Sequence, residues 1–139
     1  MKIYFSGSIS GGRQDRYLYA EIIAGLRELG TVLTEHIGDP SLTAMGETGR
    51  DDRAIHDRDL NWVREADLVV AEVSTPSLGV GYEIAKATEW GKAVLCLHRP
   101  SDGRALSAMV AGCPGATVRR YRNAVDAMDA VREFAAAVK

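Results

Sequence analysis

Five short apolar runs, each separated from the next by a stretch of helical character, constrain this chain more than anything else in it. They are KIYFSG at 2–7, TVLTE at 31–35, DLVVAEV at 67–73, AVLCLH at 93–98 and ATVRRY at 116–121. Several are too apolar for a sheet with one wet face and read as strands buried on both sides, as in parallel sheets. Between the first two, Leu18, Ile22, Leu26 and Leu29 recur at helical spacing before Gly30, which reads as a C-cap. Further helices are expected at about 50–66, 79–91, 102–111 and 124–138. Strand and helix alternating five times predicts an α/β fold: a doubly wound, five-stranded parallel sheet with helices on both faces, Rossmann or flavodoxin-like in order. Ligands of such sheets bind beyond the carboxyl ends of the strands, so the segments after Gly7, Glu35, Val73 and His98 are the places to look for chemistry.

Length and charge narrow the choice of partners. A chain of 139 residues is read as one domain, 1–139, with no second core or linker. Its 17 basic and 19 acidic residues leave a net charge of -2, too weak a field to attract a nucleic acid polymer or an anionic membrane. An anion must therefore be held by a local site. The two cysteines, Cys96 and Cys113, share no metal-ligand spacing and suggest reduced thiols rather than a disulfide framework. Neither a run of about 20 apolar residues nor a signal-peptide pattern is present, and a cytoplasmic soluble protein is expected.

Three segments carry candidate chemistry. FSGSISGGRQD, 5–15, places Gly7, Gly11 and Gly12 among the hydroxyls of Ser6, Ser8 and Ser10, with Arg13 ahead of a helix N-terminus, where phosphate is favoured. It matches neither the dinucleotide fingerprint nor the P-loop, so it is a phosphate loop of another kind or a Ser-capped turn. In DDRAIHDRDLNWVREAD, 51–67, a helical projection puts Ile55, Asp59, Trp62, Val63 and Ala66 on one stripe, so that Asp59 interrupts an apolar face. Asp59 is then either a pocket carboxylate with a tuned pKa or a salt-bridging residue one position off the face. His56 reads as a structural histidine, and with only His36 and His98 elsewhere no metal site is indicated.

The third segment, VSTPSLGVGYEIAKATEWGK at 73–92, sets Glu83 where a strand hands over to a helix. Gly79 and Gly81 weaken that helix by about 1 kcal/mol each unless a ligand needs the room. The competing explanation is an acid placed early in a helix for its dipole. Together, a phosphate loop, Asp59, Glu83 and Tyr4 would form a polar pocket with no metal and no evident Ser, Cys or Lys nucleophile. Paired carboxylates of this kind suit glycosidic chemistry, and the substrate they suggest is a phosphorylated glycoside.

The stretches YFSGSISGGRQDR, VLTEH, IHDRDLNWVREADLVVAEVSTPSLGVGYE, LCLHRP and GRALSAM closely resemble the 2'-deoxynucleoside 5'-phosphate N-hydrolases, within the nucleoside 2-deoxyribosyltransferase-like superfamily. The resemblance runs from Lys2 to about Met109. It implies cleavage of the N-glycosidic bond of a deoxynucleoside 5'-monophosphate, without a cofactor, to a free base and 2-deoxyribose 5-phosphate. By the same resemblance Glu83 is the nucleophile, Asp59 the carboxylate that moves protons and positions the sugar, and Tyr4 the hydroxyl that supports the nucleophile. Substrate binding falls to Gly7, Ser8, Ile9, Ser10, Gly11, Gly12 and Arg13, with His36, Ser77, Gly79, Ser107 and Met109. Ser107 would reach in from the second subunit of a homodimer. Where many relatives carry Arg in the loop this chain has Ser10, which bears on phosphate affinity and base preference. A deoxyribosyltransferase and a non-catalytic nucleotide-binding module are the alternatives on the same fold.

Overall fold

The computed structural model describes residues 1–8, 15–34, 49–100 and 105–138. Its strands are β1 (Lys2–Ser6), β2 (Thr31–Val32), β3 (Leu68–Glu72), β4 (Ala93–His98) and β5 (Ala116–Arg120). The helices are α1 (Arg16–Arg27), α2 (Asp52–Glu65), α3 (Leu78–Glu89), α4 (Ala108–Ala111) and α5 (Ala124–Ala137). All strand pairings are parallel, in the order β2-β1-β3-β4-β5. Each crossover passes over a face of the sheet, which is the doubly wound α/β architecture expected from the alternation of runs.

Strand residues point alternately to the two faces, and each face has its own core. Phe5, Leu68, Val70, Leu95 and Leu97 pack with Tyr19, Ile22 and Leu26 of α1 and Val131 of α5. Tyr4, Val69, Ala71, Val94 and Cys96 pack instead with Val63 of α2 and Val80 and Ile84 of α3. Every residue of β3 is buried, as the central strand of a two-sided sheet must be. The chain winds outward from β1 to β2 in one direction and from β3 to β5 in the other. The switch point thus lies between β1 and β3, and the topological rule places a ligand beyond their carboxyl ends.

Three local expectations are corrected. The second strand stops at Val32, because the Thr34 hydroxyl takes over the sheet's hydrogen bonds, accepting from Phe5 N at 2.9 Å and donating to Phe5 O at 2.7 Å. Gly30 is not the C-cap of α1, a position held by Glu28; a Cβ at Gly30 would overlap the Met1 carbonyl, so close passage of the chain is what demands glycine. Of the helix expected at about 102–111, α4 covers only Ala108–Ala111, and residues 101–104 lie outside the described residues.

Candidate active site

Tyr4 and Ser6 are two apart on β1 and therefore share the face toward α3, where both are fully buried. The Tyr4 hydroxyl donates a short hydrogen bond to Glu83 Oε2, and Ser6 Oγ donates to Glu83 Oε1 at 2.9 Å. Glu83 stands in the second turn of α3, which Ser77 caps by accepting from Val80 N at 3.3 Å. Burial of the Glu83 carboxyl raises its pKa from 4.5 to about 8. Among the described residues its hydrogen-bond partners are the neutral hydroxyls of Tyr4 and Ser6, which bring no positive charge to an ionised Glu83. Ser6 was assigned by sequence to the phosphate loop; the period of two along β1, which pairs it with Tyr4, was the signal that places it correctly.

Asp59 lies on α2, half-buried, with Arg58 Nη2 at 2.8 Å and Arg58 Nε at 3.0 Å from its Oδ1. Val63 and Ala66 below it are buried, so the stripe read from sequence faces the sheet and Asp59 sits at its edge. His56 on the same helix has both ring nitrogens engaged, Nδ1 with Asp57 at 2.9 Å and Nε2 with the Tyr82 hydroxyl at 2.9 Å. It ties α2 to α3 beside Glu83, a structural role as expected.

Ser8 is buried just beyond β1, its backbone N–H donating to the Tyr19 hydroxyl at 3.1 Å and its own Oγ without a partner among the described residues. Gly7 is fixed by the chain's own packing, since a Cβ there would lie 2.9 Å from the Tyr19 ring and 3.1 Å from that of Phe5. Ile9, Ser10, Gly11, Gly12, Arg13 and His36 lie outside the described residues.

Ser77, Gly79, Ser107 and Met109 come together on a groove of about 1100 Å³ between α3 and the 105–115 segment. Its walls are mostly apolar, and Leu78 and Met109 on its rim are 97% and 84% exposed. A Cβ at Gly81 would meet nothing within 4 Å, so this glycine faces open space. Ser107 caps α4, accepting from Met109 N at 3.3 Å. Glu83 is not among the residues that line this groove, although Gly81 and Ile84 on either side of it are. Among the described residues no three His, Cys, Asp or Glu side chains form a cluster able to hold a metal ion, and no helix is long and apolar enough to cross a membrane.

The sequence model of the nucleoside 2-deoxyribosyltransferase family matches residues 3–128. The chain is 56% identical over 111 residues to a rat protein named 5-hydroxymethyl-dUMP N-hydrolase, covering 79% of this chain and 68% of that one. A protein of the same name from Tetraodon nigroviridis is 57% identical over 113 residues, covering 81% and 80%. In fold it is similar to the CMP N-glycosidase of Clostridium botulinum, with a TM-score of 0.70 over 96% of this chain and 99% of the other at 16% identity.

Proposed function

The chain belongs to the nucleoside 2-deoxyribosyltransferase family, and on that premise we propose that it hydrolyses the N-glycosidic bond of 2'-deoxynucleoside 5'-monophosphates. One observation carries the reading: a partly buried carboxyl at the switch point of the sheet, held by two neutral hydroxyl donors and, among the described residues, by no cation. Such a group is poorly solvated, and a carbon that turns positive as its bond to nitrogen lengthens is the partner it lacks. The electrostatic gain is largest in the transition state, where that charge develops.

In the first displacement a Glu83 carboxylate oxygen bonds to C1' as the C1'–N bond breaks, and the Asp59 carboxyl gives its proton to the departing base. Tyr4 and Ser6 keep the attacking carboxylate oriented. In the second, Asp59 takes a proton from water as that water attacks C1', returning Glu83 as carboxylate and releasing 2-deoxyribose 5-phosphate. Two displacements give net retention at C1'. Ser8, with Ser77 and the 9–13 segment, receives the 5'-phosphate, and the free hydroxyl of Ser8 supports this. We assign the exposed apolar groove to a homodimer that brings Ser107 of one subunit to the site of the other; Leu78 and Met109 on its rim favour burial against a second copy. The two free cysteines suit a reducing cytoplasm.

The test is incubation with deoxynucleoside monophosphates, including 5-hydroxymethyl-dUMP, alongside ribonucleotides and unphosphorylated nucleosides, with chromatographic detection of free base. Free base from the deoxynucleotides, abolished in Glu83→Gln, is the expected result. Release of base only when a second base is supplied as acceptor would replace hydrolysis by sugar transfer.

A further inference from the structure

On the face of the sheet opposite Glu83, the Arg99 side chain reaches from the end of β4 to Asp15, 84 positions earlier, and Nη2 donates a short charged hydrogen bond to Asp15 Oδ1. Asp15 occupies the N-cap of α1, where an aspartate ordinarily accepts from the first turn, yet it makes no side-chain capping bond. Its carboxylate serves Arg99 instead. Arg99 is in turn held from behind, its backbone N–H donating to Ser74 Oγ at 2.8 Å. Ser74 Oγ donates to buried Glu72 at 2.6 Å, and Glu72 also accepts from the Tyr121 hydroxyl at 2.6 Å. The exits of β3, β4 and β5 form one hydrogen-bonded frame from which Arg99 projects onto the start of α1.

The chain of contacts continues toward β1. Tyr19, one helical turn beyond Asp15, donates its backbone N–H to Asp15 O at 2.9 Å, and its hydroxyl accepts from Ser8 N at 3.1 Å. The Tyr19 ring packs edge-on against Phe5 with Gly7 beneath it, so its position is set by the core. The frame, Arg99, Asp15, Tyr19 and Ser8 are thus linked in series, and the series ends on a buried hydroxyl that lacks a partner among the described residues.

We propose that Arg99, Asp15 and Tyr19 are positioning residues for phosphate recognition, placing Ser8 and the start of α1 relative to the strand ends. The inference rests on the function proposed above, in which Ser8 meets the 5'-phosphate. None of the three touches substrate. The assignment separates cleanly from a simple electrostatic one. If Arg99 served only as a positive charge near the phosphate, removing the negative charge of Asp15 would strengthen phosphate binding; if the pair is a strap, removing it weakens phosphate binding despite the gain in positive field.

The experiment compares kcat/KM for a deoxynucleoside 5'-monophosphate with that for the same nucleoside lacking phosphate, in the wild type, Asp15→Asn, Tyr19→Phe and Arg99→Lys. Asp15→Asn and Tyr19→Phe are expected to lower the nucleotide-to-nucleoside ratio about tenfold, as one lost charge-assisted or buried hydrogen bond does, mainly through KM. Arg99→Lys should keep part of the ratio, since the ammonium can still reach the carboxylate. A ratio in Asp15→Asn that is unchanged or higher overturns the inference, and so does an equal fall for both substrates, which marks a purely structural role. Tyr19→Phe deletes a single oxygen and carries the test if Asp15→Asn fails to fold. A wild type without phosphate preference refutes the proposed function itself, and that outcome is read before any variant is made.

Discussion

Replacing Glu83 by Gln should stabilise the folded protein, and the gain should grow with pH. The folded carboxyl holds its proton up to a pKa of about 8, against 4.5 when unburied. Because the folded-state value is the higher one, the protonated form contributes stability that is fully present below pH 4.5 and is lost as pH rises toward 8. Each unit of that window costs about 1.4 kcal/mol, so between about pH 5 and about pH 7.5 the wild type should lose about 3 kcal/mol that a non-ionising Gln retains. The Gln amide must place its NH2 against one of the two hydroxyls, which then has to accept rather than donate; that offset does not vary with pH, so the slope is the test. Burial also raises the pKa of Glu72 and lowers that of His98, but both contribute equally to the two proteins and cancel in the difference. Urea unfolding at several pH values measures the quantity directly. A wild-type-to-variant difference that is the same at both ends of the window would show that Tyr4 and Ser6 stabilise the anion enough to offset burial, and the reasoning would be wrong.

Tyr4→Phe removes one of the two donors on Glu83, so kcat should fall by about 10–100-fold, the worth of one hydrogen bond to a charged group, and the ascending limb of the pH–rate profile should move to higher pH; an unmoved limb refutes Tyr4 as a support of the anion. Gly30→Ala drives a methyl into the Met1 carbonyl where β1 and β2 begin, and a loss of about 1–3 kcal/mol in chemical unfolding is expected with kcat unchanged at low temperature. Ser107→Ala should raise KM for the nucleotide in a protein that sediments as a dimer, and a fully active monomer would remove Ser107 from the neighbouring site.

The sheet was legible because its strands carry both of their faces in a single apolar run: DLVVAEV reads as a strand buried on both sides, and β3 is buried throughout. β2 was overread because its end is decided by the Thr34 side chain, whose bonds to Phe5 lie 29 positions away in sequence. Glu83 drew attention because Gly79 and Gly81 weaken the helix that carries it, and Gly81 faces open space, but that segment alone left an acid placed for the helix dipole equally open. Asp59, read as interrupting an apolar face or as a salt-bridging residue beside it, lies half-buried against Arg58, next to buried Val63 and Ala66. Ser6 was misassigned because a serine beside a glycine-rich loop looks like part of it. The Arg99–Asp15 pair had no local signature at all, as neither residue's neighbours hint at the other.

The two halves of the proposed site depend on one strand read in two directions. Tyr4 and Ser6 point to the α3 side and hold the carboxyl that meets the sugar. Phe5, between them, points to the α1 side and packs against Tyr19, whose hydroxyl holds the backbone of Ser8. The five-residue strand and the Gly7–Ser8 step beyond it thereby set the spacing between the group assigned to C1' and the group assigned to the phosphate. Because β1 pairs with β3 from Ile3 to Ser6, a slip of one residue would exchange the two faces and disassemble both halves at once. Remote binding energy from a phosphate can lower the barrier at C1' only if the two ends are rigidly related, and the switch point of a doubly wound sheet supplies that rigidity.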